Sequence, residues 1–207
     1  MYDQDTGILK RAILPSHAPA GFWADFQSIA ILPFNGNIVT AGPDMKIIVS
    51  DPHSGNLTRI ITGSIKYYSL LARNDTVWAG GLTKISVYNA VTGLLKGLFP
   101  AHGSYINSLV SLHDGCVASG SDDKTVKIWD WTSFKLKQEL TGHTDYVQAL
   151  AVLSNGDLIT SGWDQTIRIW TKGGDGKWKQ VKIIQADITL TLQVLPDGTF
   201  LSGKKLQ

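Results

Sequence analysis

The sequence predicts an all-β chain built from successive four-stranded units, and three observations predict it. Five short segments recur along the 207 residues: Gly36-Asn37-Ile38-Val39-Thr40, Asn74-Asp75-Thr76-Val77-Trp78, Gly115-Cys116-Val117-Ala118-Ser119, Gly156-Asp157-Leu158-Ile159-Thr160 and Gly198-Thr199-Phe200-Leu201-Ser202. Their starts lie 38, 41, 41 and 42 residues apart. No stretch carries a long 3.6-residue periodicity with caps, so helix content should be very low. The chain also holds 21 glycines and 7 tryptophans, which points to many turns and to regularly used tryptophans. A period near 40 with four strands per unit is the pattern of a β-propeller blade.

Each recurring segment follows an apolar run that ends in a turn, at 28–32, 69–72, 109–112, 150–153 and 192–195. A second apolar burst follows at 46–49, 85–88, 126–129 and 167–170. Asn-Gly and Asp-Gly pairs punctuate the runs, since they reach positive φ cheaply. In the unit that opens at His102 the expected strands are 106–112, 116–119, 126–129 and 136–140. The first strand of each unit is nearly continuous in small and apolar residues (Ala149-Leu150-Ala151-Val152-Leu153), which suits burial on both faces.

Composition bounds the partners. Lys+Arg number 19 against 17 Asp+Glu, a net charge of +2, too even for a dedicated nucleic-acid binder. With 17% charged and 43% hydrophobic residues the chain is not disordered by composition. One cysteine, Cys116, excludes a disulfide framework and a Cys-based zinc site within one chain. The start, Met1-Tyr2-Asp3-Gln4-Asp5, is acidic with no apolar run behind it, and no stretch approaches a membrane span. The expectation is an intracellular protein, cytoplasmic or nuclear, with no membrane insertion.

Two units carry a stricter pattern. His102 to Ser119 and His143 to Thr160 are both 17 residues; Ser119 to Asp123 and Thr160 to Asp164 are both 4; Asp123 to Trp129 and Asp164 to Trp170 are both 6. Gly142-His143 opens a unit that ends Ile169-Trp170, and Ala101-His102 opens one that ends Ile128-Trp129-Asp130. With these residues the chain resembles the WD40-repeat family, strongly in these two units and degenerately elsewhere. The resemblance implies two buried structural tetrads, His102, Ser119, Asp123, Trp129 and His143, Thr160, Asp164, Trp170. In each, Trp bonds the hydroxyl, the hydroxyl bonds His and His bonds Asp. The same residue types could form a hydrolase triad, but the set repeats once per unit and no G-x-S-x-G motif occurs. No catalytic residue, metal set or cofactor motif is assigned.

The other units depart from the pattern. One has Thr40 and Asp44, but Ser50 where Trp belongs, and its His position falls near Phe22. The next has Gly63-Ser64 for Gly-His, Trp78 for Ser/Thr, Leu82 for Asp and Tyr88 for Trp, so packing rather than a polar chain should hold it. The last has Ser202, then Leu206 at the Asp position. Approximate repeats are 1–14 (an outer strand only, about 8–14), 15–61, 62–100, 101–141, 142–184 and 185–207 (partial, strands about 188–195 and 199–202). The fold expected is thus a WD-repeat β-propeller of about four complete blades with partial blades at both ends. The family usually has about seven blades, so the resemblance implies an incomplete ring. Exposed blade faces and edges would favour completion by further blades or self-association, and 1–207 alone is expected to be oligomeric or aggregation-prone.

The resemblance places partner contacts on one propeller face, three and five residues after the His and just before the turn Asp. These positions are Tyr105 and Asn107, Tyr146 and Gln148, Asp122 and Trp163. Tyr67 and Ser69 stand there in the degenerate unit, and Asp25 and Gln27 in the first. Tyr and Trp dominate interface hot spots, and the aspartates could orient a basic peptide. The function expected is a non-catalytic scaffold that binds a protein or peptide partner. A truncated propeller without independent function, or an enzyme framed on the propeller, are the alternatives.

Other features have plainer readings. Lys172-Gly173-Gly174-Asp175-Gly176-Lys177-Trp178 lacks the Ser/Thr and the helix of a phosphate loop, and reads as a turn before a strand near 181–184. Lys172, Lys177, Lys179 and Lys182 form a basic rim that protects a strand edge. Asn56-Leu57-Thr58 and Asn74-Asp75-Thr76 match glycosylation acceptors, of little weight without a signal peptide. His17, His53 and His113 share no ligand spacing, 15–21 is the longest connection, and Cys116 is a small core residue.

Overall fold

A computed structural model describes residues 27–204. The expected outer strand at 8–14, the loop at 15–21, His17, Phe22, Asp25 and Leu206 lie outside the described residues. Among the described residues every regular element is a strand: four four-stranded antiparallel sheets and one two-stranded sheet, each in chain order. The chain divides between Leu98 and Phe99 into two compact units.

In the first unit β1 (Ser28–Ile31), β2 (Ile38–Ala41), β3 (Lys46–Ser50) and β4 (Leu57–Thr62) form one meander. β5 (Ser69–Arg73), β6 (Thr76–Gly80), β7 (Lys84–Asn89) and β8 (Leu95–Pro100) form the next. Val39, Ala41, Ile47 and Val49 pack against Leu70, Val77, Ala79 and Tyr88. In the second unit the meanders are β9 (Ile106–Ser111), β10 (Cys116–Ser121), β11 (Val126–Asp130), β12 (Leu136–Leu140), and β13 (Val147–Val152), β14 (Leu158–Gly162), β15 (Thr166–Lys172), β16 (Trp178–Gln185). The two-stranded sheet is β17 (Thr189–Val194) with β18 (Phe200–Lys204). Ala118, Val126 and Ile128 meet Val147, Leu150 and Trp170, and Ala149, Ile159 and Ile167 meet Leu192.

The doubly buried strand is the second of each unit, not the first. β6, β10 and β14 are buried along their whole length, whereas β9 and β13 mix buried with half-buried positions. The reason is the order of the meander. The first strand is a sheet edge, while the second has a strand on each side, and in β14 Leu158 packs in the cluster shared with the preceding sheet and Ile159 in the one shared with the following sheet. A serine in the first strand ties successive sheets: Ser28 Oγ accepts the Leu70 N–H at 2.9 Å and Ser108 Oγ accepts the Leu150 N–H at 3.2 Å. Gly120, in the middle of β10, allows the next sheet to approach, because a Cβ there would collide with Leu150 and Val147.

The turn between second and third strands repeats in three sheets. Asp44, Asp123 and Asp164 each accept the backbone N–H two residues on (3.2, 3.0 and 3.1 Å). The residue between is left-handed in every case: Met45 (φ 62°), Lys124 (φ 71°), Gln165 (φ 60°). The aspartate bond offsets the roughly 1–2 kcal/mol that a side chain incurs in that region.

Candidate functional site

The hairpin β10–β11 and the segment before β9 bring the first tetrad together. Trp129 Nε1–H donates to Ser119 Oγ at 2.8 Å, the Ser119 hydroxyl meets His102 Nε2 at 2.7 Å, and His102 Nδ1 meets Asp123 Oδ2 at 2.8 Å. A carboxylate only accepts, so His102 directs an Nδ1 proton toward Asp123. Gly103 N–H and the Thr125 hydroxyl also donate to Asp123, at 2.9 and 2.7 Å. Burial works to raise the Asp123 carboxyl, but the bonds from His102, Thr125 and Gly103 outweigh it and hold it well below the usual 3.8.

The second tetrad repeats this geometry. Trp170 Nε1–H donates to Thr160 Oγ1 at 3.0 Å, and His143 joins Thr160 and Asp164 at 2.8 Å each. It adds a residue that the spacing does not announce. Arg168 is buried, lies 3.6 Å from Asp164 Oδ2, and donates to Thr166 Oγ1 at 3.2 Å and Gln180 Oε1 at 2.6 Å. Burial lowers the His143 pKa from 6.5, Asp164 opposes that, and Arg168 adds to it. In the first tetrad the matching side chain is Lys127, which reaches the Ala101 carbonyl at 2.9 Å and Glu139 at 3.4 Å. Neither hydroxyl is a nucleophile in waiting: Ser119 and Thr160 are 0% exposed and already engaged by Trp and His. Chemically these sets are clasps, which pair every polar atom inside a sheet.

Tyr67 is a correction. Assigned by its offset to the partner face, it is instead 0% exposed, and its hydroxyl meets that of Tyr88 at 2.9 Å. The unit expected to rely on packing alone thus has its own polar pair. Trp78 fills the Ser/Thr position, also at 0% exposure. Gly63 leaves the room this requires, since a Cβ there would collide with the Tyr67 hydroxyl. Burial, then the bond to Tyr88, raises the Tyr67 phenol well above its usual 10.0. Ser69, beside it, is buried as well.

The remaining candidates gather at one end of the second unit's strands. Tyr105, Tyr146 and Trp163 are 41%, 39% and 40% exposed. Tyr146 and Trp163 lie with ring centroids 5.7 Å apart, tilted by 54°. Backbone bonds pin the positions: Asp122 N–H to Tyr105 O at 3.0 Å, and Trp163 N–H to Tyr146 O at 2.9 Å. Beneath them Asn107 Nδ2 donates to Asp122 Oδ1 at 2.6 Å and to Val147 O at 2.9 Å, and Gln148 Nε2 reaches the same Oδ1 at 3.3 Å. Asn107, Asp122 and Gln148 therefore join two successive sheets and carry the aromatic rim. The sequence reading placed these residues on one face without the bridge that links them.

Two successive sheets each hold a Trp–hydroxyl–His–Asp clasp, and residues 93–130 and 134–171, which contain the two clasps, match the family model described as WD domain, G-beta repeat. These two segments, 76 of the 207 residues, are similar to WD40 repeats. Over 61 residues it is 33% identical to WD repeat-containing protein pop2 of Schizosaccharomyces pombe, which covers 30% of this chain and 8% of that protein. Over 59 residues it is 49% identical to Vegetative incompatibility protein HET-E-1 of Podospora anserina, 26% of this chain and 4% of that protein. The chain matches under a tenth of the length of either relative. WD40 repeats generally serve as protein-interaction scaffolds and are typically not enzymes.

Proposed function

We propose that the second unit binds a protein or peptide partner on the face bearing Tyr105, Tyr146 and Trp163. The exposed Tyr146–Trp163 pair carries this reading. Two large rings with polar tips, held by backbone bonds and offered to solvent, are the composition that interface hot spots enrich. They offer contact area at little entropic cost, because their supports are already ordered. Asp122 adds charge: both of its side-chain bonds fall on Oδ1, so Oδ2 is the acceptor for a Lys or Arg of the partner.

The test is affinity capture from cell extract with quantitative mass spectrometry, using the chain and its Tyr146→Ala/Trp163→Ala variant. Proteins captured by the parent should fall about tenfold or more with the variant, while its melting stays within a few degrees. Unchanged capture by a normally melting variant would overturn the assignment.

A further inference from the structure

At the opposite end of β9 from Tyr105, a cleft of about 440 Å³ opens between the β9–β12 and β13–β16 sheets of the second unit. We propose that it binds a small organic anion, an aromatic or apolar body bearing a carboxylate or phosphate.

Its volume lies within the range of small-molecule sites. Cys116, Ile128 and Trp178 supply an apolar floor, and all three are buried. The polar lining is unbalanced, with Lys137, Lys172 and Lys177 against the single carboxylate of Asp114. An adjoining hollow of about 230 Å³ shares Asp114, Lys172 and Trp178 but adds Asp157, so it has no cationic excess and the anion belongs to the first.

The cleft is also held in shape. Gln138 bonds the Trp178 main chain twice, Nε2–H to its carbonyl at 2.8 Å and Oε1 from its N–H at 2.9 Å. Lys172 spans the gap to Asp114 at 2.6 Å. Two ties between sheets keep the walls apart without a ligand, so little ordering cost falls on binding. Lys172 is paired with a carboxylate of the lining itself, whereas the carboxylate beside Lys137, Asp130, lies outside the lining, so Lys137 and Lys177 are the cations that meet the anion. Lys137 donates to Cys116 Sγ at 3.4 Å and lies 3.3 Å from Asp130. A thiol is a weak acceptor, so a ligand oxygen replaces it with gain. The anion then sits between Lys137 and Lys177, and the apolar body lies over Trp178 and Ile128.

The experiment titrates the 207-residue chain with three pairs of probes, followed by amide and indole NMR: benzoate and benzamide, indole-3-acetate and indole-3-acetamide, adenosine monophosphate and adenosine. Inorganic phosphate is run alongside. At least one anion should bind about tenfold or more tighter than its neutral partner and than phosphate, shifting the Lys137 amide and the Trp178 indole. The exposed-lysine variant Lys137→Ala/Lys177→Ala should weaken it by about tenfold or more. Because Cys116 is the only cysteine, its alkylation rate gives a second readout, which the bound anion should slow. Equal binding of anion and neutral partner, phosphate binding as tightly as every organic anion, shifts confined to other residues, or no shift at millimolar concentration would each overturn the proposal.

Discussion

The hydroxyls of Tyr67 and Tyr88 meet at 2.9 Å inside the first unit, whose described residues hold no Trp–hydroxyl–His–Asp clasp like those of the β9–β12 and β13–β16 sheets. Tyr88 stands at the Trp position of its repeat, and Tyr67 reaches it from the connection that precedes β5. One phenol pair thus replaces a four-residue chain, and the volume of Trp78 replaces the Ser/Thr. Degeneracy in sequence is here a different solution to the same need: the buried phenols partner each other between packed strands.

Tyr67→Phe should therefore destabilise the chain by about 1–3 kcal/mol, because the Tyr88 hydroxyl loses its partner in a buried site. Gly63→Ala should be at least as harmful, since the new methyl occupies the space of the Tyr67 hydroxyl. In Gly63→Ala/Tyr67→Phe the closest contact, with the hydroxyl, is gone although Cζ and Cε2 remain at 2.7 and 2.9 Å, so the collision is eased in part and the two losses should be less than additive. Urea unfolding of the three variants checks this, and strict additivity would exclude the coupling.

Ser119→Ala should cost more than a typical hydroxyl deletion. It strands both Trp129 Nε1–H and His102 Nε2, which share that oxygen at 2.8 and 2.7 Å. Two orphaned groups correspond to about 2–5 kcal/mol. Ser119→Thr keeps the hydroxyl, and Thr160 occupies the same position in the next sheet, so it should hold most of the stability. Thermal melts of the pair separate loss of the clasp from loss of volume.

The tetrads are unequal where the sequence looks equal, and the third strand makes the difference. Arg168 faces a carboxylate whose side chain is 2% exposed, whereas Lys127 pairs with the largely solvated Glu139. Arg168→Met leaves Asp164 short of a charged partner in a dry site and should cost about 2–4 kcal/mol. Lys127→Met loses a carbonyl bond and a rim pair and should cost about 1 kcal/mol. Calorimetry of both variants checks the order, and a larger loss for Lys127→Met would contradict it.

What the sequence made legible follows from distance along the chain. Ser119, Asp123 and Trp129 sit on one hairpin, so their spacing nearly determines their geometry, and strand existence followed the same local logic. Tyr67 was misplaced because the offset that assigns partner-face positions assumes a His at 64. With Ser64 there, the tyrosine turns inward, and only the small residue at Gly63 hints at it. Arg168 looks like any alternating cation of an outer-facing strand until Asp164 and Gln180 are seen beside it. The Gln138–Trp178 and Asn107–Val147 bonds join residues 40 apart through a side chain and a backbone, a pairing with no compositional trace.

The clasps also set an acid limit. Asp123 and Asp164 bind protons more weakly in the folded chain than their usual 3.8, because hydrogen bonds outweigh burial. Such groups stabilise fully above the unfolded pKa and lose that contribution as pH falls through the folded one. His143 acts at higher pH. Burial lowers its folded pKa below 6.5, so between those two values the unfolded state holds the extra proton, and stability declines as pH drops. Unfolding free energy should thus be level near neutrality, begin to fall below about pH 6.5, and fall more steeply below about pH 4. The His143 ring protons should titrate with a midpoint under 6.5. A midpoint above 6.5 would mean that the ring sits in the clasp as an imidazolium, with Asp164 dominating burial, and stability would then rise on acidification from neutrality. Urea melts across this range and the NMR titration of His143 distinguish the two, and Arg168→Met should raise the midpoint, because the guanidinium that disfavours a charged ring is gone.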